Sequence, residues 1–336
     1  MNYKQQVIDL WQACFGDSET FVQLYFSTKY AEENSVVYVE NERVLSALQM
    51  LPYPMTCWSR ELHTSYISGA STWPDARGRG LMKNLLIKAF GIMRLRDIHL
   101  STLIPAEPWL FDFYKKLGYG TVFYSAVQTF TGVLSSKVPQ HEYSKEELYA
   151  YFMISMRKRP CCVQHTFDDF CVILADLYLA GGCVVTVSGN DGFIEGLALI
   201  VPDSGKIWIK EWMYDDENAR ITLLSEIKVL YPQYEISVTT FVRQGYGEAF
   251  GMIRVVDAPM ILQYYAAAHP EEIWSFSLKD DQILSNTADY VLKGGYCEKL
   301  PFRNDEMNEV ISPSELVEKL YSEKSGIIPC MSLMLN

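Results

Sequence analysis

A strand-like run from Thr64 to Thr72 passes through Trp73-Pro74-Asp75-Ala76-Arg77-Gly78-Arg79-Gly80-Leu81-Met82 into an apolar-periodic helix, Leu81 to Arg94. A strand, a short loop rich in Arg and Gly, and a helix make an anion cradle. The first amides of a helix have no intrahelical partner, and the helix dipole adds partial positive charge beside them. Gly78 and Gly80 let the backbone approach a phosphate closely. Arg77 and Arg79 supply charge-assisted donors. The segment therefore predicts a phosphorylated ligand, against the plainer reading of a solvated turn.

Bulk properties set the frame. A chain of 336 residues is expected to form two or three domains. With 49% hydrophobic and 21% charged residues, the composition is that of an ordinary globular protein. There is no run of eighteen apolar residues and no signal-peptide pattern, so a membrane span is not expected and a cytoplasmic location is. The net charge of −12 disfavours nucleic-acid binding and suits a cationic partner such as an amine. Eight cysteines fit no zinc spacing, and the five histidines are scattered, so reduced thiols and no metal are expected.

The order of elements predicts a mixed α/β chain. Residues 3–31 read as helical, 35–40 and 43–53 as strands around Asn41-Glu42, with Pro52 and Pro54 ending the second. A strand at 98–103, a helix from Trp109 to Leu117 stopped by Gly118, and a strand at 119–130 complete the first unit. A linker follows at 131–142, then a capping box at Ser144–Glu147 and mainly helical residues to 180. Strands at 183–188, 192–201 and 206–214, a helix at 217–230 and a strand at 235–241 repeat the first order. Here Asp215-Asp216-Glu217-Asn218 replaces the Arg/Gly loop, and an acidic loop repels a pyrophosphate. A helix at 259–268, strands at 272–277 and 288–292, and a helix from Ser312-Pro313 form a smaller last unit.

Arg77-x-x-Gly80-x-Met82, together with Phe113-Tyr114-Lys115-Lys116-Leu117-Gly118-Tyr119-Gly120, resembles the GNAT superfamily of acyl-CoA-dependent N-acetyltransferases. That family's loop reads Arg/Gln-x-x-Gly-x-Gly/Ala, and Met82 departs from its last position. With Leu103-Ile104-Pro105, and with Met252 to Asp257 followed by His269-Pro270, the pattern is similar to the Eis (enhanced intracellular survival) family, which shares the departure. The resemblance implies an α/β (α+β) architecture of tandem GNAT-like mixed-sheet domains followed by a short sterol-carrier-like α+β domain. The expected divisions are 1–130, 131–252 and 253–336, with a cofactor site in the first unit only.

The resemblance also implies the function: transfer of an acetyl group from acetyl-CoA to an amine, by direct attack in a ternary complex. Ser71, Thr72 and Trp73 would hold the pantetheine arm, and Arg77, Gly78, Arg79, Gly80, Leu81 and Met82 the pyrophosphate. Tyr114 matches the family's catalytic tyrosine; a phenol keeps its proton at neutral pH and can give it to the departing thiolate. Tyr119, just past the Gly118 stop, reads as strand packing. The base has three candidates: the terminal carboxylate of Asn336 on an apolar tail, Glu107 if it is dry, or a water. Trp11, Phe26, Tyr30 and Trp109, with Glu107, are candidates for the acceptor cleft. The acceptor is a small-molecule or lysine amine, and a homo-oligomer is expected. The rival reading is a non-catalytic CoA-binding regulatory or assembly protein.

Overall fold

The computed structural model describes residues 3–132, 141–303, 309–322 and 326–335. Two amphipathic helices open the chain, α1 (Lys4–Phe15) and α2 (Glu19–Thr28). The first ends at Gly16 in the left-handed region; the second starts at Ser18, whose hydroxyl accepts from the Phe21 amide. β1 (Ser35–Glu40), β2 (Arg43–Cys57), β3 (Arg60–Thr72), α3 (Leu81–Leu95), β4 (Leu100–Leu103), α4 (Pro108–Lys115) and β5 (Gly120–Phe130) follow. Asn41-Glu42 and Trp58-Ser59 take positive φ at both positions, the geometry of tight hairpin turns.

The second half repeats the pattern: α5 (Lys145–Arg157), β6 (Cys161–Val163), α6 (Phe167–Leu179), β7 (Cys183–Ser188), β8 (Ile194–Asp203), β9 (Lys206–Tyr214), α7 (Glu217–Leu230) and β10 (Glu235–Val242). β11 (Glu248–Val255) then leads to α8 (Ala258–Ala268), β12 (Trp274–Leu278), β13 (Ala288–Lys293), β14 (Tyr296–Leu300), β15 (Val310–Ile311) and α9 (Pro313–Leu320). The capping box at Ser144 forms as the sequence predicts, and Ser312 forms another ahead of Pro313.

Both halves share one sheet of eleven strands among the described residues, in the order β1-β2-β3-β4-β11-β5-β10-β9-β8-β7, with β6 added to β2. β5 and β10 join the halves as an antiparallel pair, Tyr124 opposite Val242 through Phe130 opposite Ile236. β11, reached only after the second half, returns to lie antiparallel between β4 and β5. The expected division at 252/253 thus falls inside a strand. β14-β13-β12-β15 form a separate small sheet.

Two local readings are corrected. Pro52 and Pro54 do not end β2; they lie within it, opposite Ser65 and His63. The β1 ladder stops at Gln49 and the β6 ladder begins at Met55, so both prolines occupy a gap on that edge where no amide is needed. Residues 161–163, expected within a helical stretch, are a strand: Pro160 ends the helical run and β6 completes the edge of β2.

Candidate active site

The parallel ladder between β3 and β4 is short, running from Thr64 opposite Leu100 to Tyr66 opposite Thr102. β3 continues to Thr72 while β4 ends at Leu103, so the two strands part and leave a wedge. Within this stretch β3 carries a bulge: Ser68 faces Gln49 and Ser71 faces Ala47, which leaves Gly69 and Ala70 opposite Leu48 alone. Gly69 has φ +59°, and a Cβ there would lie 2.2 Å from the Trp11 ring. Trp11 is pinned over the bulge, its indole N–H donating to Asp17 at 2.7 Å. The bulge is a site feature that a single sequence does not announce, apart from the Gly69 that permits it.

The end of β3 is tightly held. The Ser46 hydroxyl donates to the Ser71 carbonyl at 2.9 Å, and the Trp73 amide donates to the Leu45 carbonyl at 3.0 Å. The Trp73 ring lies under the Arg43 guanidinium, 5.1 Å from its centroid. Arg77 is exposed, its Nε donating to the Thr72 carbonyl at 3.2 Å. Arg79 pairs with Glu40 at 2.5 Å on the surface. Gly78 and Gly80 have φ +78° and +74°, and a Cβ at either would meet nothing within 4 Å. Gly80 is the N-cap of α3 and brings no capping side chain, so the leading amides of α3 lack a side-chain acceptor. Leu81 and Met82 turn inward: Leu81 is buried with Leu45 and Ala76, and Met82 is half-buried against the core beneath α3. The departure at Met82 is therefore a packing choice.

The second half builds the same corner differently. β9 and β10 pair in parallel from Lys206 to Ile209 and then part. At the start of α7, however, the Asp216 carboxylate is the N-cap and accepts from the Ala219 amide at 2.8 Å. The place an anion would take is filled by the chain's own carboxylate.

Tyr114 projects from α4 into an apolar cluster with Ile67 and Leu103, the residues at which β3 and β4 separate. It is 6% exposed, its ring packs edge-on to Phe113 and Tyr119, and burial pushes its phenol up to about 12. Tyr119 is fully buried, and its hydroxyl meets Ser101 at 2.7 Å.

The candidate acceptor residues do not form one wall. Trp11 and Phe26 are buried edge to face, ring centroids 5.6 Å apart, in an aromatic cluster that continues to Tyr30; they serve as core. Tyr30 is half-buried with the Lys4 ammonium over its ring. Glu107 and Trp109 sit apart at the start of α4, and both are exposed. Glu107 is therefore not the dry carboxylate expected of a base, because it lies at the solvent-facing N-cap.

Asn336 lies outside the described residues. The segment before it runs along the seam between the halves. Cys330 pairs with β6, and the Ser332 hydroxyl donates to Glu211 at 2.5 Å. The Ser332 carbonyl accepts from His165 Nε2 at 3.0 Å. Met331 packs on Gly251 of β11, and Leu335 is buried. Burial holds His165 neutral, down to about 4. A cavity of about 350 Å³ adjoins this segment, with Ile104 beyond β4, Asp176 of α6, Lys210 of β9, Phe241 of β10 and Phe250 of β11 in its walls. Asp176 and Lys210 carry no sequence motif and become visible only when α6 is packed beside β9. Among the described residues no cluster of His, Cys, Asp or Glu is placed to hold a metal, and no helix is long and apolar enough to cross a membrane.

A family model described as an acetyltransferase (GNAT) domain matches residues 2–122. Among solved structures, the chain is similar to a probable N-acyltransferase from Enterococcus faecalis V583, at 15% identity over 94% of this chain and 86% of that one, TM-score 0.75. It is similar to a GCN5-related N-acetyltransferase from Anabaena variabilis at 16% identity, 98% and 96% coverage, TM-score 0.74. It is also similar to Eis1 from Mycobacterium abscessus at 11% identity, 97% and 90% coverage, TM-score 0.71. At these identities the likeness is one of fold. No curated protein matches the chain by sequence. Residues 2–122 thus match a GNAT acetyltransferase domain, and the whole chain shares its fold with structures that include Eis1.

Proposed function

We propose that the chain is an acetyl-CoA-dependent N-acetyltransferase that moves the acetyl group to an amine by direct attack in a ternary complex. One contrast carries the reading: α3 starts at an uncapped glycine with Arg77 beside it, whereas α7 is capped by Asp216. Acetyl-CoA would supply the thioester. The amides after Gly80, with Arg77 and Arg79, would take its diphosphate; Arg77 would turn from Thr72 and Arg79 from Glu40 to do so. Ser71 to Trp73 would align the pantetheine arm along the free edge of β3. The bulge at Gly69-Ala70 would present backbone N–H to the oxygen that becomes negative when the amine attacks.

Tyr114, held protonated by burial at the mouth of the wedge, would donate its proton to the leaving thiolate. The base in this reading is the C-terminal carboxylate of Asn336, the residue after the buried Leu335. The acceptor is a small-molecule or lysine amine entering beside Ile104, where Asp176 offers negative charge.

The units proposed are 1–130 with the cofactor site, 131–252 without one, and 253–336 as a short sterol-carrier-like domain that reclaims part of β11. Eight unpaired cysteines support a reducing compartment, the cytoplasm. A homo-oligomer belongs to the same proposal, and light scattering decides it. The test of function is calorimetry with CoA followed by turnover with a panel of small amines and lysine peptides at saturating acetyl-CoA. Uptake of CoA with acetylated product supports the enzyme. Uptake without turnover across the panel favours the binding or assembly protein, and no uptake by folded protein overturns both.

A further inference from the structure

β6 is three residues long and is sandwiched between β2 and the C-terminal segment, and each side of it carries a pair of thiols. On the β2 side Cys161 stands opposite Cys57, with 2.9 Å between the sulfurs and neither residue exposed. On the other side the Cys330 amide donates to the Cys161 carbonyl at 2.9 Å, and the Cys330 carbonyl accepts from the Val163 amide at 3.0 Å. This places Cys162 and Cys330 side by side across a parallel bridge, the Cys162 thiol donating to the Val163 carbonyl at 3.3 Å and the Cys330 thiol to the Ile328 carbonyl at 3.4 Å. Partners across a ladder have Cα separations that a disulfide can span.

The two pairs differ in surroundings. Cys161 is wholly buried, and burial with neighbouring thiols pushes it well up. Cys330 is half-buried; the neighbouring Cys162 thiol and the Arg159 guanidinium favour its thiolate, against burial and the opposing Glu211. Arg159 also stands in the wall of a cleft of about 560 Å³ with Arg60, Glu61, Arg157, Lys158 and Ile327, the last of these lying three residues before Cys330. A half-buried cysteine beside a cation, with a second cysteine as its bridge partner, has the layout of a reactive and a resolving cysteine.

We propose that Cys330 and Cys162 form a modification site, a dithiol that a hydroperoxide converts to a disulfide. The Cys330 thiolate attacks one peroxide oxygen; the O–O bond breaks, the alcohol (or water) leaves with a proton, and Cys330 becomes a sulfenic acid. The Cys162 sulfur then attacks Cys330; the S–S bond forms, the S–O bond breaks, and hydroxide leaves as water with the Cys162 proton. The two thiols lose two electrons, and the hydroperoxide gains them. The product ties the C-terminal segment covalently to β6. This inference does not rest on the transferase reading.

The full chain is treated with hydrogen peroxide, alkylated without reduction, digested and mapped by mass spectrometry, in the native sequence and in Cys161→Ala, which removes the adjacent thiol from the assignment. The expected result is a peptide linking Cys162 to Cys330, with both thiols lost to alkylation and restored by dithiothreitol, and slower amide exchange across residues 326–335 in the oxidised form. In Cys162→Ser, dimedone should trap a sulfenic acid on Cys330. A Cys57–Cys161 link in its place, or Cys162 and Cys330 still alkylated after peroxide, overturns the proposal; the native map decides even where a variant does not fold.

Discussion

The guanidinium of Arg254 donates through Nη2 to both carboxylate oxygens of Asp280, each at 2.6 Å, and neither side chain is exposed. Arg254 belongs to β11, the strand inserted between β4 and β5, and Asp280 to the turn that follows β12. Asp280 also accepts from the amides of Gln282 and Ile283 and from Asn286. Gly118 leaves room for the pair, since a Cβ there would come 2.7 Å from Arg254 Nε. The last unit is thus fastened to the first sheet by an ion pair made in the dry. Removing one partner strands a buried charge. Asp280→Ala should lower unfolding free energy by about 3–5 kcal/mol in urea titration; a loss under about 1 kcal/mol would mean that water reaches the site.

Gly80→Asp would bring a carboxylate to the start of α3, as Asp216 does for α7. Nothing lies within 4 Å of an added Cβ, but φ there is +74°, so a non-glycine residue costs about 1–2 kcal/mol, which the fold should survive. CoA affinity measured by calorimetry should fall roughly tenfold or more, through repulsion of the diphosphate. Unchanged affinity would separate the diphosphate from α3.

Tyr114→Phe should reduce kcat about 10²-fold and leave the Kd for acetyl-CoA unchanged. Burial raises the phenol from 10 to about 12, so the acid form persists across the usual assay range and no alkaline limb from Tyr114 should appear below about pH 11. The folded state favours the protonated phenol; this contribution is complete below pH 10 and is lost as pH rises towards 12.

His165 titrates in the opposite sense. Its folded value, about 4, lies below the ordinary 6.5, so the unfolded chain takes up the proton first. The associated stability is present above pH 6.5 and drains away as pH falls to about 4, on the order of 3 kcal/mol. Urea midpoints for the native protein and His165→Gln should converge across that window, and parallel curves would show that water solvates His165.

An added C-terminal peptide after Asn336 should suppress turnover at least about tenfold with CoA affinity kept, because the carboxylate is moved and amidated. Full activity with the extension would remove that carboxylate as the base.

The Arg77–Met82 loop, the helix it opens and the doubled order of elements were legible because each is local: glycines at positive φ, apolar periodicity and capping residues act over a few positions. Pro52 and Pro54 misled because a proline ends a strand only where its amide is needed, and that depends on which strands flank β2. The Trp11–Gly69 contact and the pairing of β6 with Cys330 join residues far apart in the chain, and neither has a period or motif. Glu107 read as a dry carboxylate because its place after β4 was right; its exposure is set by the solvent-facing start of α4.

β11 carries a consequence for biosynthesis. A ribosome finishes residues 2–122 long before it makes Glu248–Val255, so during that interval β4 and β5 present bare edges towards each other's empty lane. The nascent N-terminal portion waits for its late-made strand, and a gene cut after residue 130 would yield a product with two open edges, prone to clump in the cell.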